Sequence, residues 1–287
     1  MRLALPRANA PMLLLLPALV ELVLFLLVPY LNIFVMSFRM PGQGVPYAPG
    51  WTFGNYGKFF SDWFFVGQML NTLWIGAVTT LACLLIGYPV ALQLARGSER
   101  LRALRYGIVL TPLLVGIVIR SYGWTILLGN NGVINRTLIG WGVIDGPLPL
   151  MYNGLGIIIA LTHVLLPFMI LPVMGAIQGI DPALDLAARS LGAGRATVFR
   201  RVTLPLSLPG VQAGCILVFV LSVSAYVTPA LIGGLRVKTV AVSVVDAMID
   251  SFQWPFGSAL ALILSVVGGL CVLAFARATR MRWAVKR

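Results

Sequence analysis

Four long stretches of this 287-residue chain contain no Asp, Glu, Lys or Arg, and they limit the available folds more than any other feature. They are residues 63–95, 146–180, 202–235 and 251–276. Each is longer than the ~20 apolar residues that a helix needs to cross the hydrocarbon core of a bilayer. In lipid, backbone polar groups must be paired within the protein, so only helices and closed barrels can cross. Because the stretches show no alternation of period two, we predict membrane-spanning helices.

Together with an apolar run near the N-terminus and a further largely apolar segment at residues 103–128, these stretches predict a single all-α membrane domain over residues 1–287 that crosses the bilayer about six times. The N-terminal run, from Ala10 to Phe38, is longer than the apolar core of a secretory signal peptide. We therefore interpret it as an uncleaved first helix. The predicted spans are residues 12–38, 66–95, 103–128, 154–177, 207–231 and 257–277.

The basic residues are divided unevenly between the two sides of these spans. The net charge of +13 could indicate nucleic-acid binding. With the N-terminus inside, however, fifteen of the 21 Lys and Arg residues fall in segments predicted to be cytoplasmic, and five fall outside. By the positive-inside rule, this bias predicts that both termini are cytoplasmic. Charge that sets topology and meets anionic membrane lipid needs no nucleic acid to explain it.

The segment between the fourth and fifth spans, residues 178–206, is longer than a simple turn requires. Asp181 is a good helix N-cap, and Pro182 suits the first helical position. Gly192 can end this helix because glycine tolerates a left-handed backbone. We predict a second short helix over residues 195–201, followed by prolines that lead into the fifth span. The two helices would lie against the cytoplasmic face.

This segment resembles the coupling loop of bacterial ABC importer permeases, whose signature is Glu-Ala-Ala, three residues, Gly, nine residues and Ile-x-Leu-Pro. Here Leu186-Ala187-Ala188 is followed by Gly192 and then by Val202-Thr203-Leu204-Pro205, with the spacing kept at every step. Val202 replaces Ile conservatively. Leu186 replaces the Glu and removes a charge, and Asp185 beside it is a candidate substitute.

Further strings resemble one branch of that family, the spermidine/putrescine-type permeases. They are residues 119–124 (Ile-Arg-Ser-Tyr-Gly-Trp), 131–135 (Asn-Gly-Val-Ile-Asn), 227–234 (Val-Thr-Pro-Ala-Leu-Ile-Gly-Gly) and 254–257 (Trp-Pro-Phe-Gly). The branch also contains transporters of other small solutes. The resemblance therefore predicts the fold more securely than it predicts the transported solute.

The resemblance implies a type I (MetI-like) permease in the bacterial inner membrane that works by alternating access. Its partners would be an ATP-binding cassette ATPase dimer, a second permease chain of different sequence and a periplasmic solute-binding protein. The chain itself would be no enzyme and would hold no cofactor, because ATP is bound by the partner ATPase. The residues implied for the coupling site are Asp185, Leu186, Ala187, Ala188, Leu191, Gly192, Leu204 and Pro205.

Polar residues inside the predicted spans are the candidates for a translocation path or gate. Arg120 lies 15 residues after Arg105, which on one straight helix is roughly 22 Å. It could snorkel to the outer surface or act as a gate. His163 is expected to be hydrogen-bonded between helices rather than catalytic. The candidate residues for the path or gate are Arg120, Tyr122, Ser224, Tyr226 and Thr228.

Two alternatives stay open: the same machinery carrying another solute, such as an amino-compound or a chelated metal, and an intramembrane enzyme. The second is disfavoured by the residues themselves. The chain has one His, no Gly-rich phosphate loop followed by Lys, and no Ser with a recognisable base. The three cysteines are far apart within apolar stretches, so we expect neither a disulfide nor a metal site.

Overall fold

The computed structural model of the chain describes residues 10–42, 44–97 and 99–284. Arg2, Arg7, Lys286 and Arg287, which entered the charge count, lie outside the described residues. Contacts divide the chain into two units. One contains Met1–Trp63 with Ser243–Ile263, and the other contains Phe64–Val242 with Leu264–Arg287.

The N-terminal part of the first unit is a long helix followed by a small hairpin. The elements are α1 (Ala10–Ser37), β1 (Arg39–Met40), β2 (Ala48–Trp51) and α2 (Gly54–Ser61), with β1 and β2 antiparallel. Asn55 Nδ2 donates to the carbonyl of Ser37 (2.8 Å), which has no helical partner at the end of α1, and to the carbonyl of Arg39 (3.0 Å) in β1. The Arg39 guanidinium stacks on Trp51, 4.4 Å from the ring centre.

Helices make up almost all of the remaining described chain. They are α3 (Trp63–Arg96), α4 (Glu99–Leu114), α5 (Ile117–Leu128), α6 (Val133–Gly140), α7 (Gly154–Gln178), α8 (Pro182–Ser190), α9 (Arg195–Val198), α10 (Leu204–Val223), α11 (Val227–Gly233), α12 (Val240–Val245) and α13 (Trp254–Ala284). Two π-helical segments, Phe199–Thr203 and Asp246–Asp250, follow α9 and α12.

Helix α7 forms the centre of the second unit and packs most extensively on α10. Two glycines of α10 let the helix backbones approach closely. A Cβ atom on Gly210 would lie 2.5 Å from the Pro172 carbonyl oxygen, and one on Gly214 would lie 2.8 Å from Met169 Sδ. Small residues of this kind are typical of helix contacts in membranes, where close van der Waals packing replaces the hydrophobic effect as the driving force.

The membrane-spanning prediction is confirmed for the first, second, fourth and sixth spans, which correspond to α1, α3, α7 and α13. Among the described residues, five helical stretches are long and apolar enough to cross a membrane, the fifth being Arg195–Val223. A sixth span results if the bent pair Leu104–Leu114 and Ile117–Gly140 is counted as one span. The prediction of about six spans therefore agrees with the structure.

The third predicted span, residues 103–128, is not a straight helix. Its two parts meet at an angle of 95°. The break follows Pro112, whose ring clashes with the preceding turn, and passes through Gly116, which has an extended ψ of 142°. The depth calculated for Arg120 on one straight helix is therefore wrong.

The fifth predicted span, residues 207–231, begins earlier and is interrupted. The helical run starts at Arg195 and continues through the π-helical segment to Val223, so the short helix predicted at 195–201 is not separate. Pro205 lies at the start of α10, directly after the π-helical segment, and the run continues through it. The chain then breaks after α10, and α11 follows as its own helix.

We expect Gly210→Val to destabilise the chain, because the added methyl groups must displace the backbone of α7. Overpacking of this kind costs about 1–3 kcal/mol. The measurement is the thermal stability of the detergent-purified chain. Gly175→Val is the matched control, since a Cβ atom there meets nothing within 4 Å. Equal stability of the two variants would contradict close α7–α10 packing.

Candidate coupling site and membrane path

The predicted coupling segment begins with α8, whose ends are those expected from the sequence. The Asp181 carboxylate accepts a hydrogen bond from the Ala183 N–H at 2.8 Å, and Pro182 occupies the first turn. Gly192 ends the helix with a left-handed φ of +83°. A side chain would be strained at this position, so the glycine sets the turn between α8 and α9.

Most of α8 lies on the surface, including its large apolar side chains. Leu186 is 65% exposed, and Leu191, the C-cap residue directly after α8, is 89% exposed; Ala187 and Gly192 are exposed beside them. Exposed leucines clustered on one short helix are typical of a surface that another protein covers. Ala188 on α8 is half-buried, and so are Leu204 and Pro205 at the start of α10. The exposed candidates are therefore Leu186, Ala187, Leu191 and Gly192.

Asp185 has a different role from its exposed neighbours, because it is paired within the chain. Arg96, the last residue of α3, donates to both Asp185 oxygens, with Nη2 to Oδ1 at 3.3 Å. The same Nη2 donates to Thr203 Oγ1 at 3.0 Å, and Thr203 is fully buried. One guanidinium thus joins α3, the coupling helix and the π-helical base of α10. Such charge-assisted, two-pronged contacts are strong and directional.

A second contact joins α3 to the base of α10 close to the first. Tyr88 Oη and Ser207 Oγ are hydrogen-bonded at 2.8 Å, and both residues are buried. The Tyr88 ring also packs edge-on against Phe199 in the π-helical segment. Sequence reasoning missed Arg96, Tyr88 and Ser207 as parts of this junction. Arg96 ends a charge-free stretch, which is a visible signal, but its partners are about 90 residues or more away in the chain.

The candidates for the membrane path do not all face the surface. Tyr122, Ser224 and Tyr226 are exposed. Ser224 Oγ donates to the Val220 carbonyl at 2.8 Å and so caps the end of α10. Thr228 is fully buried and hydrogen-bonded to Ser121 Oγ at 2.9 Å, which joins α11 to α5. In this conformation Thr228 stabilises a helix contact and does not line an open surface.

Arg120 is half-buried on α5, one turn before Trp124. Within the described part of the chain, neither Nε nor Nη1 of Arg120 has a hydrogen-bond partner. Trp124 Nε1 donates to His163 Nδ1 of α7 at 3.2 Å, so the histidine is hydrogen-bonded between helices as expected. Among the residues that the structure describes, no group of three His, Cys, Asp or Glu side chains could hold a metal ion.

Comparison with known proteins identifies this arrangement of helices. Residues 8–284 match the family described as "Binding-protein-dependent transport system inner membrane component". The chain belongs to this family. This permease is 35% identical over 260 residues to a Haemophilus influenzae protein named "Spermidine/putrescine transport system permease protein PotB", with 91% of each chain covered. The Escherichia coli K12 protein of the same name is 34% identical, with 91% of this chain and 94% of that one covered.

The fold agrees with that of a solved importer. The permease matches a chain from a bacterial ABC transporter for the acidic polysaccharide alginate with a TM-score of 0.73 over 96% of both chains, at 20% identity. At that identity the match supports the fold alone. Together with the family match, it makes the chain the membrane-spanning permease subunit of an ABC importer, with the predicted all-α, MetI-like fold.

We expect Arg96→Gln to loosen the coupling helix, because it removes the charge that joins α8 to α3 and α10. Hydrogen bonds to charged groups contribute about 1.5–3 kcal/mol, so amide exchange in α8 should accelerate about tenfold or more. Hydrogen–deuterium exchange on the purified permease measures this change. Arg189→Gln, an exposed arginine on the same helix, is the matched control. Unchanged exchange in Arg96→Gln would show that the contact does not restrain α8.

Proposed function

We propose that this permease imports a small polyamine of the spermidine/putrescine type by alternating access. The observation that carries the proposal is 34–35% identity to permeases named for that solute pair, extending over 91% of the chain. Identity over almost the whole chain includes the spans that would line the path, and not the coupling segment alone. The exposed tyrosines Tyr122 and Tyr226 support the same solute class, since aromatic faces attract ammonium groups.

Within this proposal, the polar surface of α5 and the α10–α11 break forms part of the path. Tyr122, Tyr226 and Ser224 would contact the solute in passing. Arg120 would not bind it, because a guanidinium repels a polycation, so a gate or packing role fits Arg120 better. Thr228 would hold α11 against α5 through its bond to Ser121. No step of the proposed cycle requires a catalytic group in this chain.

The proposed cycle depends on partner proteins. An ATPase dimer would bind ATP and receive α8, a second permease chain of different sequence would complete the path, and a periplasmic binding protein would deliver the solute. Both termini and α8 would be cytoplasmic, which the excess of basic residues on that side supports. Closure of the ATPases would move α8, and the Arg96 contacts would carry that movement to α3 and α10.

Uptake of labelled spermidine and putrescine tests the proposed solute. A strain lacking this permease should lose uptake of at least one of them and regain it with the plasmid-borne gene. A permease lacking residues 182–194 should reach the membrane yet fail to restore uptake, because α8 is removed. Unchanged polyamine uptake in the deletion strain would rule out the proposed solute and would leave the importer family assignment in place.

The exposed leucines of α8 provide a test of ATPase docking. We expect Leu186→Asp combined with Leu191→Asp to reduce the ATPase that co-purifies with the permease about tenfold or more, because two charges would enter an apolar contact. Leu235→Asp is the matched control, since Leu235 is equally exposed but lies after α11. Undiminished co-purification would show that α8 is not the docking helix.

A further inference from the structure

Two nitrogens of the Arg120 guanidinium have no hydrogen-bond acceptor within the described chain. Nε and Nη1 are buried, and within the residues described here neither finds an acceptor. Nη2 is not among these covered atoms, and the residue as a whole is half-buried, so Nη2 is the nitrogen that a group outside the chain can reach. A charged donor inside a membrane span is costly unless it is paired. Arginine keeps its proton under physiological conditions, so the group cannot escape this cost by becoming neutral.

His163 adds a second donor to the same surface. Its Nδ1 accepts from Trp124 Nε1, so a neutral ring carries its proton on Nε2 and can only donate there. The ring is exposed on α7, and it is bonded to Trp124, which lies one turn after Arg120 on α5. The surface formed by Arg120 and His163 therefore presents donors, and what it requires is an acceptor, preferably one with negative charge.

The depth of this surface excludes a lipid phosphate as that acceptor. His163 lies nine residues after the first residue of α7, which is about 14 Å along a helix of 25 residues. That position is near the middle of a hydrocarbon core about 30 Å thick. Lipid phosphates lie at the edges of the bilayer, so a negatively charged acceptor must come from protein or from a solute in the path.

The surroundings of Arg120 on α5 suit a helix from another subunit. Gly123 lies three residues after Arg120, hence on the same helical face, and Gly116 precedes the first residue of α5; a Cβ atom at either glycine meets nothing within 4 Å. Ile119 and Ile126 are exposed on the adjoining face. Small residues that leave room beside a polar group are typical of helix contacts in membranes.

We propose that Arg120 and His163 bind a carboxylate side chain carried by a membrane helix of the second permease subunit. A carboxylate has two oxygens that can accept from Arg120 Nη2 and His163 Nε2, and it neutralises a charge that is present throughout the transport cycle. A solute would neutralise it only while bound, and the polycation proposed above would be repelled. The inference rests on the proposed two-permease assembly, and it does not depend on which solute is carried.

The test uses the whole importer, expressed with both permeases and the ATPase. Arg120→Gln should leave this chain in the membrane but reduce the second permease that co-purifies with it by about tenfold or more, because one member of a buried charge pair is removed. Arg120→Lys should retain most of the assembly by keeping the charge. Arg136→Gln is the matched control, since Arg136 is exposed on α6.

A charge exchange identifies the partner residue. Arg120→Glu should disrupt assembly, and changing one membrane-embedded Asp or Glu of the second permease to Arg should restore it. If Arg120→Gln fails to accumulate in the membrane, the charge exchange still tests the pairing, because restored assembly is its readout. The inference is overturned if no exchange restores assembly or if the second permease has no carboxylate in its spans.

Full co-purification of Arg120→Gln together with an altered KM for uptake would also overturn the inference, because Arg120 would then act on the solute. Wild-type polyamine uptake is measured in parallel. A wild-type complex that assembles but does not import polyamines would contradict the proposed solute and not the Arg120 pairing.

Discussion

The close contact between α7 and α10 is the interaction on which the second unit depends. In a bilayer, the backbone polar groups of each helix are satisfied within the helix, so what remains to hold helices together is mainly close packing. Gly210 and Gly214 supply that packing by letting α10 approach the Pro172 carbonyl and Met169 of α7. With these two helices in contact, α5 and α11 can pack against α7, and the base of α10 is held beside α3.

The position of the coupling helix follows from this arrangement. Helix α8 buries little of its own surface, so packing alone would hold it weakly. The Arg96 guanidinium compensates by joining Asp185 on α8 to Thr203 at the base of α10. A movement of α8 would therefore be transmitted to α3 and α10 through the Arg96 side chain. The exposed leucines of α8 stay available for a partner, because the charged residue beside them is already used inside the chain.

Polar groups within the spans divide into two kinds. Ser121 with Thr228 and Tyr88 with Ser207 are buried pairs that satisfy each other and join helices. Arg120 and His163 belong to the other kind, because two Arg120 nitrogens have no acceptor within the described chain and the His163 ring is exposed. The first kind stabilises this subunit by itself. The second is consistent with a protein that forms only part of a larger assembly.

The sequence by itself determined the helical membrane fold, most of the spans, the ends of α8 and the spacing of the coupling motif. These features depend on local rules: apolar length, N-capping by Asp181, and a glycine at a left-handed turn. Only the tertiary structure decided that Asp185 pairs with Arg96, that Thr228 is buried against Ser121, and that the third span bends at Gly116. The pairings join residues about 90 or more positions apart, and no local pattern encodes them. The bend depends on how the neighbouring helices pack, because a proline or glycine permits a break in a membrane helix without requiring one.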